Sequence, residues 1–365
     1  MDAEGSSIWR VGALVCKLMR RLTISHRPLP FTRREPPPMN VLNIRRIGIL
    51  SALALVMGAT AAESASAQIG GRLRGAVNRV TGGRLSVDQL IGGDHPITTS
   101  LEHARWAVDS LDNFTPREAK RSMLELQRTP NGGFVLQPGY WEMHVQSYCL
   151  KAGTHGPGGG DGYLYAPTMG PAEDAVTTIL RNSVNHPEIP QHEIQTLLWA
   201  IIARAKFEDL STQHKAVASR LLTPQQLTQL NRSALDLIPG DEMGALMNRV
   251  PGPLRQIVQA EADLRRMMAD PSASFADMER VAVLTGAVGL GPGSRAVPSG
   301  RWSLHPDGYY VRYIPQGYSY TVTQIWVPQG SPAVGKEYDP ATHIATPGNT
   351  SRQRLVQSGR AHQDS

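Results

Sequence analysis

The thiol of Cys149 is the most reactive side chain in the chain beyond residue 67, where no second cysteine occurs. A thiol can act as a nucleophile, bind a metal ion or enter another covalent bond. As the base of a cysteine hydrolase the chain offers four histidines: His144, His155, His186 and His192. Such an enzyme needs an accessible thiol of lowered pKa, and no Cys-Trp or Gln-x-Cys signature surrounds Cys149. The cysteine hydrolase is therefore kept only as an alternative.

A metal site is a second alternative. Its candidate ligands are His186, Glu188, His192 and Glu193. Because His192 and Glu193 are adjacent, their side chains diverge on a helix and do not readily face one ion. No His-Glu-x-x-His motif occurs in the chain. We therefore expect neither a metal ion nor a cofactor.

A glutamine follows Pro190 in a segment of strong helical pattern. Apolar residues recur there at helical spacing: Ile194, Leu197, Leu198, Ile201 and Ile202. This spacing predicts an amphipathic core helix. Gln195 shares a stripe with Trp199, four residues on, so its amide borders the apolar face. Burying such an amide without partners costs about 1–3 kcal/mol. An ordinary hydrogen-bonded glutamine at a helix edge is the simpler interpretation, and a covalent bond is the other.

The segment that carries Cys149 is predicted to be a strand. Residues 140–150 alternate with a period of two between an apolar and a polar face. The apolar face holds Trp141, Met143, Val145, Ser147 and Cys149, and the polar face holds Tyr140, Glu142, His144, Gln146 and Tyr148. The thiol is therefore expected to point into a core.

The remaining pattern predicts an α+β fold with a small β portion packed against a mainly helical segment. The small β portion consists of the strand ending at Cys149 and a C-terminal hairpin with strands near 308–314 and 318–327. Helices are expected over 98–112, after Pro116, and through most of 171–283. The predicted organisation is given by these ranges: a loosely ordered start at 68–95, a mixed α/β region at 96–290, a β-hairpin module at 300–328 and a disordered tail at 329–365.

The first 67 residues have the features of a leader. After Met39 come Arg45-Arg46, an apolar run at 47–57 and the small residues Ala65-Ser66-Ala67. This arrangement is typical of a signal peptide at 39–67, with residues 1–38 as a disordered extension or a misassigned start. The apolar run is too short to cross a bilayer of about 30 Å. We expect an exported protein that begins at Gln68, with no membrane span after cleavage, located in the periplasm, at the cell surface or outside the cell.

The net charge of +6 is concentrated in this leader. Residues 1–67 carry nine of the 37 Lys and Arg side chains but only four of the 31 acidic ones, so the remainder is close to neutral. The basic balance therefore does not indicate nucleic-acid binding.

Residues 147–201 resemble the thioester domain of bacterial surface adhesins. The resemblance rests on Ser147-Tyr148-Cys149-Leu150 and on the block Ile194-Gln195-Thr196-Leu197-Leu198-Trp199-Ala200-Ile201. Two positions depart from the family pattern, since Ile194 stands where threonine is usual and Leu197-Leu198 where alanine-isoleucine is usual. The resemblance implies an internal thioester between Cys149 and Gln195, with Trp199 at the family's tryptophan position as a shield.

A thioester implies covalent attachment to partners that carry amines, such as lysine side chains or a surface polymer. His144 or His192 is then the expected assisting base. The bond would also account for a lone cysteine in an exported protein. The competing prediction is a non-covalent binding or structural envelope protein whose buried cysteine is free and whose tyrosine-rich hairpin contacts the partner.

Overall fold

The structure is a computed structural model that describes residues 95–235 and 252–362, together with residues 243, 244, 247, 248 and 250. All of them belong to one compact unit, Ala65–Ser365. The extension at 1–38, the signal peptide at 39–67 and the start at 68–94 lie outside the described residues.

Short strands and one long strand build the β structure. The strands are β1 (Lys120–Ser122), β2 (Phe134–Val135), β3 (Gly139–Cys149), β4 (Thr154–His155), β5 (Tyr163–Pro167), β6 (Val283–Leu284), β7 (Ser303–Leu304), β8 (Tyr310–Pro315), β9 (Tyr320–Val327), β10 (Glu337–Tyr338), β11 (His343–Pro347) and β12 (Leu355–Ala361). The main sheet has the order β5-β11-β12-β3-β9-β8-β7 with antiparallel neighbours, and β1 adds to β3 in parallel. The eleven-residue β3 is its centre.

The main sheet curves until its two ends approach each other. The Tyr165 N–H in β5 donates a 2.9 Å hydrogen bond to the Ser303 hydroxyl oxygen in β7, and these strands stand at opposite ends of the sheet order. The result is a nearly closed, barrel-like sheet. Its interior holds large aromatic side chains, among them Trp141, Tyr309 and Tyr313.

The helices lie between β5 and β7 in the sequence. They are α1 (Glu173–Ser183), α2 (Gln191–Ile202), α3 (Thr212–Leu221), α4 (Pro224–Ser233), α5 (Gly252–Ala269) and α6 (Phe275–Ala282). Pro224 occupies the first position of α4, where its missing N–H is not needed. None of the described helices is long and apolar enough to cross a membrane.

The predicted fold class is wrong in its proportions. The chain is not a mainly helical segment with a small β portion, because the strand ending at Cys149 and the 310–327 hairpin belong to one large antiparallel sheet. The hairpin is therefore no separate module at 300–328. The expected pattern at β3 also holds on one face only, since Tyr140, Gln146 and Tyr148 on the predicted polar face are buried.

The predicted disordered tail at 329–365 is likewise wrong over its described residues. It contributes β10, β11 and β12, and β12 pairs directly with β3. It carries fully buried polar residues, Gln353 before β12 and Gln357 within it, which conceal the hydrophobic alternation. The helices expected at 98–112 and after Pro116 are also absent. Short 3-10 turns occupy these stretches, at Leu101–His103, Asp109–Leu111 and Met123–Glu125, together with β1.

The predicted helical region is confirmed in its individual elements. The core helix expected after Pro190 is α2, with Pro190 itself at the N-cap, and α1 precedes it within the predicted helical range. The helices α3, α4, α5 and α6 also fall within the range 171–283 that was predicted to be mostly helical.

Candidate functional site

Cys149 is the last residue of β3 and is completely buried, with 0% of its surface exposed. It is paired with Leu355 of β12 in the sheet. The thiol is free of any disulfide. The alternation predicted from the sequence therefore placed this side chain correctly in the core.

The side-chain amide of Gln195 binds the backbone of Cys149 at two points. The Cys149 N–H donates to Gln195 Oε1 at 2.8 Å, and Gln195 Nε2 donates to the Cys149 carbonyl at 3.2 Å. Only 2% of Gln195 is exposed, so both hydrogen bonds are sheltered from water. The structure therefore brings together the two residues that the sequence singled out.

A pair of stacked aromatic rings joins α2, the helix that carries Gln195, to α6. On α2, Trp199 lies one turn beyond Gln195 and is fully buried. Its ring stacks on Phe275 of α6, with the ring centroids 5.4 Å apart and the planes at 17°. Trp199 therefore lies on the same side of α2 as Gln195 and is buried with it.

An acid that the sequence did not indicate lies near the thiol. Burial raises the pKa of Cys149 well above its ordinary value, and the negative charge of Glu279 raises it further. Glu279 follows Phe275 by one turn of α6 and accepts a hydrogen bond from the Tyr318 hydroxyl. The pKa of Tyr318 is raised by burial and by this hydrogen bond. Cys149 is therefore a neutral thiol beside a carboxylate, and not an activated thiolate.

A groove of about 550 Å³ leads past Glu279 and Tyr318. His155, Thr285 and Arg352 also line it. Arg352 is held by Asp161, with its Nε 2.9 Å from the carboxylate. Glu279 and Tyr318 are therefore accessible to a small molecule or a side chain that enters this groove, which neither Cys149 nor Gln195 lines.

The structure does not bring His144 to the Cys149–Gln195 pair. His144 lies five residues before Cys149 on β3, which at about 3.3 Å per residue is roughly 16 Å along the strand. Its side chain is 54% exposed and contacts Glu142 and Tyr320. His192 is closer, three residues before Gln195, but it is half-exposed and its Nε2 lies 3.5 Å from Glu193. Its ring packs on Phe275.

The residues of the metal alternative form two separate ion pairs. His186 Nδ1 lies 3.1 Å from Glu188, and His192 pairs with the adjacent Glu193. The expectation that His192 and Glu193 diverge is therefore wrong. Within the described part of the chain, no group of three or more His, Cys, Asp or Glu side chains is arranged to hold a metal ion.

Sequence reasoning missed Glu279 and Tyr318 for different reasons. Tyr318 belongs to the tyrosine-rich stretch before β9, which was considered only as a contact surface. Glu279 had no signal, because one glutamate on an amphipathic helix is the commonest of surface residues.

The chain matches no protein-family model, no curated protein and no solved structure.

Proposed function

We propose that Cys149 and Gln195 form an internal thioester through which the protein attaches covalently to partners that carry primary amines. The observation that carries this proposal is the two-point hydrogen bonding of the Gln195 amide to the Cys149 backbone. It places the amide carbon next to the residue that bears the thiol.

The hydrogen bonds suit the formation of the thioester. When the Cys149 sulfur adds to the Gln195 amide carbon, negative charge develops on Oε1, and the Cys149 N–H already donates to that atom. The thiol proton passes to Nε2, the C–N bond breaks, and ammonia leaves as the S–C bond is completed. The step needs no oxidant or reductant, since one thiol and one amide give one thioester and one ammonia.

Burial then favours persistence of the bond. Cys149 and Gln195 are almost completely buried, so water has little access to the acyl carbon. A thiol of raised pKa is also a poor leaving group, because thiols of lower pKa leave faster. The environment that makes Cys149 a poor hydrolase nucleophile therefore suits a long-lived thioester.

Glu279 is the group that we assign to the incoming amine. A lysine ammonium entering the groove meets this carboxylate, which can accept a proton and leave a nucleophilic amine. The amine attacks the acyl carbon of residue 195, the C–S bond breaks and an amide forms. Of the two protons that the ammonium loses, one goes to the departing sulfur and one goes through Glu279 to solvent.

A second candidate function is supported by the same hydrogen bonds. A glutamine that binds the N–H and carbonyl of one strand residue also serves as a purely structural clamp between α2 and β3. The protein would then be a non-covalent binding or structural module with a buried free thiol. This candidate predicts an unmodified covalent structure.

Intact mass distinguishes the two candidates. Fresh protein denatured at low pH should weigh one ammonia less than its sequence requires, and methylamine should add to residue 195 and release a free thiol. Cys149→Ala and Gln195→Ala should each have the full sequence mass and take up no methylamine. Masses are compared between wild type and variants, after correction for the substituted atoms, so that an unknown N-terminus cancels.

Two further species have their own masses in this experiment. Hydrolysis of the thioester gives a free thiol and a glutamate at position 195, which differs from both the thioester and the intact amide. Fresh protein with a free Cys149 and an intact Gln195 amide would exclude the thioester and leave the structural clamp.

Export to the cell surface or beyond is part of the same proposal. A surface protein meets lysine-bearing proteins and amine-bearing polymers of other cells, which are the partners that the resemblance implies. N-terminal sequencing of protein recovered outside the cytoplasm should begin at Gln68, because Ala65-Ser66-Ala67 has the small residues that signal peptidase requires. A chain that retains residues 1–60 there would contradict the predicted cleavage.

A further inference from the structure

A cavity of about 340 Å³ lies beside the end of β3. Its apolar lining includes Leu150, Ile202 and Ile257. Its polar lining includes Lys151 and Arg354. Ligand cavities in proteins combine an apolar wall with a few convergent polar groups in this way.

Two of the cationic side chains that line this cavity, Lys151 and Arg354, donate hydrogen bonds to backbone carbonyls, whereas a third, Arg352, pairs with Asp161. Lys151 Nζ donates to the Thr350 carbonyl at 3.0 Å. Arg354 donates to the carbonyls of Thr99 and Leu150. Glu261 also lines the cavity, but it pairs with Arg204, whose Nη2 lies 3.7 Å from the carboxylate. The Glu261 carboxylate also acts on Lys151 and Arg354, but it is shared with Arg204 and Arg265, so the positive charges around it outnumber the negative one. Such an excess of buried positive charge is costly.

Two hydrogen-bond donors of the cavity residues also lack partners. Among the described residues, neither Arg354 Nε nor the buried Thr346 hydroxyl has a hydrogen-bond partner. Thr346 is 2% exposed and lines the same cavity. Buried polar groups in folded proteins are almost always paired, which makes two such donors beside an ammonium group an unusual concentration.

The pKa of Lys151 also reflects the shortage of negative charge in this cavity. Burial, followed by the positive charge of Arg354, lowers the pKa of Lys151 to about 8, although Glu261 acts in the opposite direction. A bound anion between the two cations would reverse this effect. Three donors, on Lys151, Arg354 and Thr346, match the lone pairs of one carboxylate.

We propose that this cavity binds an organic anion with one carboxylate on an apolar chain. The carboxylate lies between Lys151 and Arg354, and the chain packs on Leu150, Ile202 and Ile257. The site is separate from the thioester chemistry, since its polar groups are not those that contact Cys149 and Gln195.

Titration calorimetry with sodium octanoate tests this proposal on the full mature chain. Octanoate should bind and raise the melting temperature, whereas octan-1-ol, which lacks the charge, and acetate, which lacks the chain, should each bind at least tenfold more weakly. Vesicles of phosphatidylglycerol distinguish a lipid source, because a free carboxylate ligand predicts no binding to them. Octanoate that fails to bind at millimolar concentration overturns the proposal, as does equal binding of octanol, and capture by the vesicles instead of octanoate overturns its assignment to a free carboxylate.

Lys151→Met is the matched variant, since its unbranched side chain is similar in length and it removes the ammonium group together with its hydrogen bond to the Thr350 carbonyl. It should fold, shown by an unchanged cooperative melt without ligand, and bind octanoate about tenfold more weakly through loss of a charged hydrogen bond. Thr346→Val, which removes one hydroxyl at similar volume, should weaken binding by a smaller factor. Undiminished octanoate affinity in a folded Lys151→Met protein would also overturn the proposal.

Discussion

Two tyrosine–histidine pairs of nearly equal geometry lie in very different surroundings. Tyr320 and His144 are joined by a 2.6 Å hydrogen bond on the exposed side of β3, and Tyr309 and His343 by a 2.7 Å hydrogen bond inside the sheet. His144 is 54% exposed, whereas His343 is 3% exposed. The two bonds are nearly equal in length but use different ring nitrogens, Nδ1 of His144 and Nε2 of His343, and the pairs differ most in burial.

The interior pair has a defined proton arrangement. His343 Nδ1 lies 2.8 Å from the Asp339 carbonyl oxygen, which can only accept, so Nδ1 carries the proton. His343 Nε2 therefore accepts from the Tyr309 hydroxyl. Burial lowers the pKa of His343 to about 3, and the positive charge of His305 acts in the same direction. Burial therefore favours the neutral form of the interior His343.

The largest expected effect is the loss of stability when a carboxylate is introduced on the buried side of β3, compared with the same substitution on the exposed side. Val145→Asp should lower the free energy of unfolding by several kcal/mol, because an unpaired carboxylate would enter the core. His144→Asp, one residue away on the exposed side, should cost about 1 kcal/mol or less, since only the nearby Glu142 opposes it. Chemical denaturation of both variants measures the contrast, and equal stability would show that the two faces of β3 were misassigned.

A smaller effect is expected from acid. His343 stays neutral in the folded state down to about pH 3, whereas in the unfolded chain it takes up a proton below about 6.5. Unfolding therefore binds a proton in this window, and the free energy of unfolding should fall by about 1.4 kcal/mol per pH unit between 6.5 and 3 on account of this residue. In His343→Gln this part of the slope should disappear. An unchanged slope in urea unfolding from pH 6.5 to 4 would show that His343 does not contribute.

Removal of one hydroxyl from each pair gives a more direct comparison. Tyr309→Phe leaves the buried His343 Nε2 without its donor and should cost about 1–3 kcal/mol. Tyr320→Phe should cost about 0.5 kcal/mol or less, because water replaces the hydroxyl at an exposed site. Thermal unfolding of the two variants under identical conditions measures the difference. Equal costs would mean that the bond itself, and not its burial, sets the energy.

Local patterns predicted the elements next to the site better than they predicted the fold. The alternation that ends at Cys149 and the helical stripe through Gln195 and Trp199 are both present, because each depends on neighbours a few residues apart. The sheet was underestimated because its last two strands, β11 and β12, are buried at nearly every position and do not alternate. In β12, Gln357 and Ser358 are completely buried and give a polar pattern to a core strand.

The resemblance to the thioester domain predicted that Cys149 and Gln195 lie together, but it did not predict which of their atoms contact each other. Sequence spacing cannot show that the amide binds the backbone of Cys149 at two points, since this depends on how α2 crosses the end of β3. Glu279 was missed for a related reason. It comes from a helix more than a hundred residues away and is brought near the thiol only by the packing of α6 against α2.

The smallest expected effect concerns His144, which sequence proximity made a candidate base. An assisting base must reach the reacting atoms within about 2.6–3.2 Å, or through one water, and His144 is roughly 16 Å along β3 from Cys149. His144→Gln should therefore leave the rate of methylamine uptake within about twofold of wild type, whereas the loss of a true base costs at least a hundredfold.

Glu279→Gln, which keeps the shape of the side chain and removes its basicity, should slow uptake by about a hundredfold or more while leaving the ammonia-deficient mass intact. Because both variants are scored by mass on fresh protein, a slow rate can be separated from a thioester that never formed. Slow uptake in His144→Gln with normal uptake in Glu279→Gln would reverse the two assignments and return the histidine to the mechanism.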